Sequence, residues 1–178
     1  MTNAMTQEWT QTLDEKYGAA GTLGRQGEEK LYNFLLNDRG PSGEVIWDVK
    51  YYPEDKEKQL YGIDIEVRKM FPHTWGRHYS ADVKTGESYI NQAGDIFIPL
   101  DPKGFLFTRK KPVDRIWNIN PTTWWSAYYD KEDMAVYLES LIRSGKINPN
   151  DQYFVVKKAA SDYFYQESKV RIVRMLLK

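Results

Sequence analysis

The stretch Tyr61-Gly-Ile-Asp-Ile-Glu-Val-Arg-Lys-Met70 is followed, eight residues on, by Tyr79-Ser-Ala-Asp-Val-Lys-Thr-Gly-Glu87. Both read as β-strands. The first alternates Ile63, Ile65 and Val67 with Asp64, Glu66 and Arg68. The second sets Ala81 and Val83 on one face and Asp82 and Lys84 on the other. Such alternation is what a half-buried antiparallel strand shows, and its polar face commonly meets water. Two carboxylates and an amine on neighbouring strands ask for a further reason, and the surrounding chain supplies the context.

Upstream, residues 1 to about 22 are polar and read as a flexible arm, leaving residues 23–178 as a single domain. A helix is expected from about Gln26 to Leu36, with Leu31, Phe34 and Leu35 at helical spacing and Gly40-Pro41 as its stop. Residues 44–52 read as a strand with Val45, Trp47 and Val49 on one face. Residues 53–62 read as a charged turn. With the two quoted strands, this makes a three-stranded meander after one helix.

Downstream, residues 95–100 and 104–110 read as strands joined by the turn Asp101-Pro-Lys-Gly104. Residues 121–129 read as an aromatic loop or short helix. A helix from Lys131 to about Arg143 follows, with Asp130 as N-cap, Glu132 and Asp133 in its first turn, and Gly145 beyond its end. Residues 152–158 read as a buried strand, and residues 169–176 are ambiguous between helix and strand. The order gives an α/β fold with a mixed central sheet and flanking helices.

Composition narrows the function. The chain has 178 residues, enough for one domain with a real core, and its 25 Lys and Arg balance 25 Asp and Glu. A polyanion would therefore be met by a local basic patch, not by overall charge. The absence of cysteine excludes disulfides, thiolate metal sites and cysteine nucleophiles. Two histidines, His73 and His78, cannot make a three-histidine metal site. The polar start is unlike a signal peptide, and no run approaches a membrane span, so a soluble, cytoplasmic protein is expected.

In an antiparallel meander Asp64 can face Asp82. Two carboxylates that close repel unless a cation lies between them, and hard oxygen ligands suit Mg²⁺ or Mn²⁺. Lys84 points the same way as Asp82 and can hold or polarise a water and offset developing phosphorane charge.

An acidic residue, a gap of ten to thirty residues, then Asp or Glu, any residue and Lys resembles the signature of the PD-(D/E)XK nuclease superfamily. Gly24-Arg-Gln-Gly-Glu-Glu-Lys-Leu-Tyr-Asn-Phe-Leu35 resembles the first helix of its junction-resolvase-like members. The resemblance covers residues 24–86, and the chain departs from the pattern in having Ile63 before Asp64 and Asp at 82. It implies a restriction-endonuclease-like fold and a Mg²⁺- or Mn²⁺-dependent DNA nuclease, structure-specific or junction-resolving and working as a homodimer. The catalytic set implied is Glu28, Asp64, Asp82 and Lys84, with Asp64, Asp82 and Glu28 as metal ligands and Glu29 as the alternative to Glu28. A restriction enzyme or an exonuclease fits the same residues. So does a catalytically silent nucleic-acid-binding or assembly protein of this fold, and an interaction domain with accidental spacing remains a third reading.

Other residues carry weaker expectations. Arg109, Lys110 and Lys111, in Thr108-Arg-Lys-Lys111, are assigned to DNA contact, and residues 156–158 and 169–174 are further basic patches. Glu66 is a candidate extra ligand or a solvated strand end. Trp117, Trp124 and Trp125 are candidates for base stacking, core or a dimer contact.

Overall fold

A computed structural model describes residues 19–72, 76–100 and 111–178. The elements run α1 (Ala19–Asn37), β1 (Trp47–Tyr51), α2 (Lys56–Leu60), β2 (Ile65–Lys69), β3 (Tyr79–Thr85), β4 (Ile96–Pro99), β5 (Arg115–Ile119), β6 (Trp125–Asp130), α3 (Lys131–Arg143), β7 (Tyr153–Val156), α4 (Ser161–Ser168) and β8 (Val173–Leu176). Six strands form one mixed sheet in the order β1-β2-β3-β5-β6-β8, and β4 pairs with β7 in a second, two-stranded sheet. The expected meander is present: β1, β2 and β3 are successive antiparallel neighbours. β5 then lies parallel to β3, and β6 and β8 add antiparallel strands beyond it. The α/β class with a mixed sheet is thereby established.

The large sheet has apolar side chains on both faces. On one face Leu31 and Leu35 of α1 meet Ile65, Val67, Ala81, Val83, Trp117 and Ile119. On the other, Ile116, Ala127 and Tyr129 pack with Met134, Ala135 and Leu138 of α3 and with Ile96, Ile98 and Val156 of the small sheet. Period-two alternation sorts the residues: Val83 pairs with Trp117 on the α1 face, while Asp82 pairs with Ile116 and Lys84 with Asn118 on the opposite face.

Several expectations need correction. The first helix starts at Ala19, seven residues before the expected Gln26, so residues 19–22 belong to it and not to an arm. Ala19, Ala20 and Leu23 favour helix, and Gly21 and Gly24 cost about 1 kcal/mol each without stopping it. Residues 53–62 contain the short helix α2, not a simple turn; Asp55 caps it by accepting from the Lys58 backbone N–H at 3.0 Å. Val45 lies before β1 and is 53% exposed. Ile63 does not share the face of Ile65 and Val67 but joins the other core. The chain changes direction there, where the Ile63 backbone N–H donates to O of Lys58 within α2.

Residues 121–129 are neither loop nor helix throughout, since Trp125 onward forms β6. β5 was not anticipated at all. Trp117 within it is 1% exposed and belongs to the core, so it cannot stack on a base. Residues 153–156 form β7, but only Val156 is buried, because the strand lies in the small sheet. Of the 169–176 segment, Val173–Leu176 form β8 at the edge of the large sheet, and Lys169 ends α4. α3 is as expected, with Asp130 accepting from the Asp133 N–H at 2.9 Å and Gly145 in the left-handed region after its end. Residues 1–18, His73 and the expected strand at 104–110 lie outside the described residues. Among the described residues no helix is long and apolar enough to cross a membrane.

Candidate functional site

Register brings the quoted acids together. Ile65 pairs with Ala81, and one step back along β2 sets Asp64 opposite Asp82. The Asp64 N–H donates to Ala81 O at 3.0 Å. Asp64 Oδ2 in turn accepts from the Val83 backbone N–H at 2.7 Å. Its carboxyl is thus pinned to the backbone between Asp82 and Lys84.

α1 brings the third acid. Gly27 lies against β3: a Cβ there would collide with Thr85 Oγ1, Cβ and Cγ2. The missing side chain lets the helix approach the strand closely, and the next residue, Glu28, is buried while Glu29 is exposed. The Tyr51 hydroxyl at the end of β1 donates to Glu28 Oε2 at 3.2 Å. Arg25, one turn earlier, forms an ion pair with Glu54 at 3.1 Å and also acts on Glu28.

The electrostatics follow from burial and like charge. Desolvation holds the Asp64 carboxyl well above the usual carboxylate range, with repulsion from Asp82 and Glu28 in the same direction. Glu28 is raised chiefly by burial, and Tyr51 and Arg25 partly oppose this. Lys84 Nζ stands 3.0 Å from Asp82 Oδ1. The negative charge of Asp82 is the main cause that pushes the ammonium above the ordinary lysine range, so Lys84 is a firmly protonated cation and a poor base. The Tyr51 hydroxyl is likewise raised, by burial and then by Glu28, and remains a donor.

The four residues expected from sequence therefore converge where the end of β3 meets α1 and the start of β2. Lys111 joins them. Gly62 has φ +71°, and a Cβ on it would lie 3.7 Å from Lys111 Nζ and 3.8 Å from Asp82 Oδ2. The lysine and the aspartate thus flank one point, although Lys111 was expected only as part of a basic surface run. Arg109 and Lys110 lie outside the described residues.

Other candidates are engaged elsewhere. Glu66 binds Lys58 at 2.7 Å, which lowers its pKa and makes it a structural ion pair. His78 contacts Asp48 Oδ2 at 3.2 Å. Lys157 pairs with Asp95 at 3.4 Å at the end of the small sheet, and Arg174 of β8 donates to Gly94 O at 2.6 Å, tying the large sheet to the small one. Trp125 is 38% exposed, with Lys158 Nζ 5.2 Å from its ring centroid.

Three site residues had no sequence signal of their own. Tyr51 is one of many tyrosines until its hydroxyl is seen on Glu28. Asn118 is 2% exposed, pairs with Lys84 across β3 and β5, and has an Nδ2 without a hydrogen-bond partner. On β6, Tyr129 pairs with Ile116 and is buried; burial raises its hydroxyl pKa, nearby Asn118 opposes this, and Asp82 adds to it.

Among the described residues no three His, Cys, Asp or Glu side chains are arranged to cage a metal ion. Mg²⁺ does not require such a cage, since one or two carboxylates with water and substrate phosphate complete its shell. The donor set fits that use: the acids are oxygen ligands whose mutual repulsion a divalent cation would relieve. No family model matches the chain, and no curated protein or solved structure matches it.

Proposed function

We propose that the protein is a Mg²⁺- or Mn²⁺-dependent nuclease of the PD-(D/E)XK type, hydrolysing phosphodiester bonds in DNA on a restriction-endonuclease-like core. The observation that carries this reading is the meeting of Glu28, Asp64 and Asp82, where Asp82 disfavours ionisation of both other acids and Glu28 that of Asp64, with Lys84 bonded to Asp82. Acids compressed in this way destabilise a fold unless a cation or chemistry employs them. The helix, the meander and the Asp-x-Lys strand in that order support the fold assignment.

In this reading Asp64 and Asp82 would hold the metal, and Glu28 would hold a second ion or orient the attacking water. A bound divalent cation would supply Lewis-acid activation of the scissile phosphate and a lower water pKa. The chain's own residues do the rest. Lys84, kept protonated by Asp82, orients the nucleophile and offsets charge on the phosphorane instead of removing a proton. Tyr51 keeps Glu28 oriented and more readily ionised. Lys111, beside Gly62, is placed to meet a phosphate entering over Asp82.

The experiment is cleavage of linear, single-stranded and four-way-junction DNA with Mg²⁺, Mn²⁺ or EDTA. Metal-dependent cutting of at least one substrate, lost in Lys84→Ala, supports the nuclease. Binding without cutting transfers the residues to a silent DNA-binding protein of the same fold. Neither binding nor cutting ends the reading.

A further inference from the structure

Away from the acidic cluster, the α1 face of the large sheet carries a cavity of about 490 Å³ at the other end of β3. Tyr79 at its floor and Thr85 beside Glu28 are the two ends of that strand, about 20 Å apart at the usual rise. Three cations, Lys69, Arg77 and Arg115, and three rings, Trp47, Tyr79 and Tyr128, line it, and among the described residues no carboxylate does.

The cations are positioned by the rings. The Arg115 guanidinium lies 3.7 Å from the Tyr79 centroid and 4.7 Å from that of Tyr128. Lys69 Nζ is 5.7 Å from the Trp47 ring, and Arg77 is 5.7 Å from Tyr79. Such contacts hold a cation without neutralising it. Arg77 has one distant carboxylate, Asp114 at 3.8 Å, and its side chain is 76% exposed. Trp47 is itself fixed, its indole N–H donating to Asp38 Oδ2 at 3.0 Å. The result is an aromatic floor under concentrated positive charge, in a chain whose net charge is zero.

From this cavity we infer a binding site for an unpaired nucleotide of a single strand, its base stacked on the aromatic floor and its phosphate held by Arg115, Lys69 and Arg77. Every base has a face that can stack, and a guanidinium fork matches phosphate oxygens, so the site recognises single strands without reading sequence. The choice of a nucleic-acid ligand rests on the nuclease reading, and the site would give that enzyme a grip on an unpaired tail distant from the cut.

The test uses the full chain silenced with Asp82→Asn, in EDTA, titrated with labelled six-nucleotide oligothymidine, its oligouridine counterpart and a blunt duplex. Single strands are expected to bind and to quench tryptophan fluorescence, with the quench reduced in Trp47→Phe. The double variant Lys69→Ala/Arg77→Ala, two exposed positions whose loss should leave the melting temperature unchanged, is expected to weaken binding at least tenfold. Its salt dependence should flatten by about 0.7 in log–log slope for each phosphate contact removed. Equal binding of the two oligonucleotides also supports the site, since its chemistry ignores the sugar. Failure of both single strands to bind, unchanged affinity in the double variant, or preference for the blunt duplex overturns it. Cleavage by the wild type with no such binding sinks this site alone, whereas binding here without any cleavage sinks the nuclease reading alone.

Discussion

Lys84 Nζ is 3.0 Å from Asp82 Oδ1, and both side chains project from the same face of β3. This pair sets the character of the site. It keeps the amine charged, and it leaves Asp82 as the one acid of the three with a cationic partner in contact. Among the described residues, the Asp64 carboxylate is met by a backbone N–H and that of Glu28 by a tyrosine hydroxyl.

Asp82→Asn is therefore expected to remove cleavage by at least about a hundredfold, the scale seen when a group that stabilises transition-state charge is lost. In EDTA its stability should change little. Loss of the pair with a 37% exposed Lys84 is offset by relief of repulsion on Asp64 and Glu28. Thermal melts in EDTA check this. A large drop in melting temperature would make Asp82 a structural residue.

Glu28→Gln should lower turnover strongly, while Glu29→Gln, at an exposed position, should leave it near wild type. Tyr51→Phe tests the same site by pH. Its hydroxyl lowers the Glu28 pKa, so its removal should move the acidic limb of the rate profile to higher pH. An unmoved limb would detach Glu28 from the ionisation that governs rate.

Metal-free protein should lose stability as pH rises from the ordinary carboxylate range through the raised values of Asp64 and Glu28. The folded state binds these protons more tightly than the unfolded chain, so their contribution is full at low pH and is lost on ionisation. Melting curves across pH should show this fall shrink in Asp64→Asn and on addition of Mg²⁺. A fall of the same size in the variant would assign it to other groups.

Gly27→Ala should destabilise the fold by about 1–3 kcal/mol, the usual cost of forcing a methyl into filled space. The obstacle is Thr85, whose Cβ cannot swing away. Thr85→Ala should restore part of the loss in the double variant. Additive losses would show that the two residues do not share this contact.

The first half of the architecture was legible because its strands are two-sided. Ala81 and Val83 against Asp82 and Lys84 give β3 an unmistakable period of two; register then brings Asp64 to it, and the close approach of α1 at Gly27 brings Glu28. β5 hid for the opposite reason. Ile116, Trp117, Asn118 and Ile119 are all buried, as befits a strand covered on both faces, and so show no alternation. α2 was masked by charge: Lys56-Glu-Lys-Gln-Leu60 buries nothing and holds through its Asp55 cap. Ile63 misled because a period of two continues on paper across a bend that only the Lys58 contact reveals. Tyr51 and Lys111 enter the site from distant parts of the chain, which no local pattern encodes.

Binding and turnover should separate at Lys84. Lys84→Ala is expected to bind DNA in Ca²⁺ with near wild-type affinity and to lose turnover with Mg²⁺, since its charge matters most as the phosphorane forms. Binding titrations beside single-turnover cleavage measure the two. A parallel loss of both would make Lys84 a DNA-contact residue.

The central claim, that these acids exist to hold a divalent cation, is tested most directly by anomalous diffraction from crystals soaked in Mn²⁺. The account predicts an anomalous peak within ligand distance of both Asp64 and Asp82, absent from crystals of Asp82→Asn. No peak there at saturating Mn²⁺ in crystals that retain an open site, with Asp64 still turned to Val83 and Asp82 to Lys84, would contradict it.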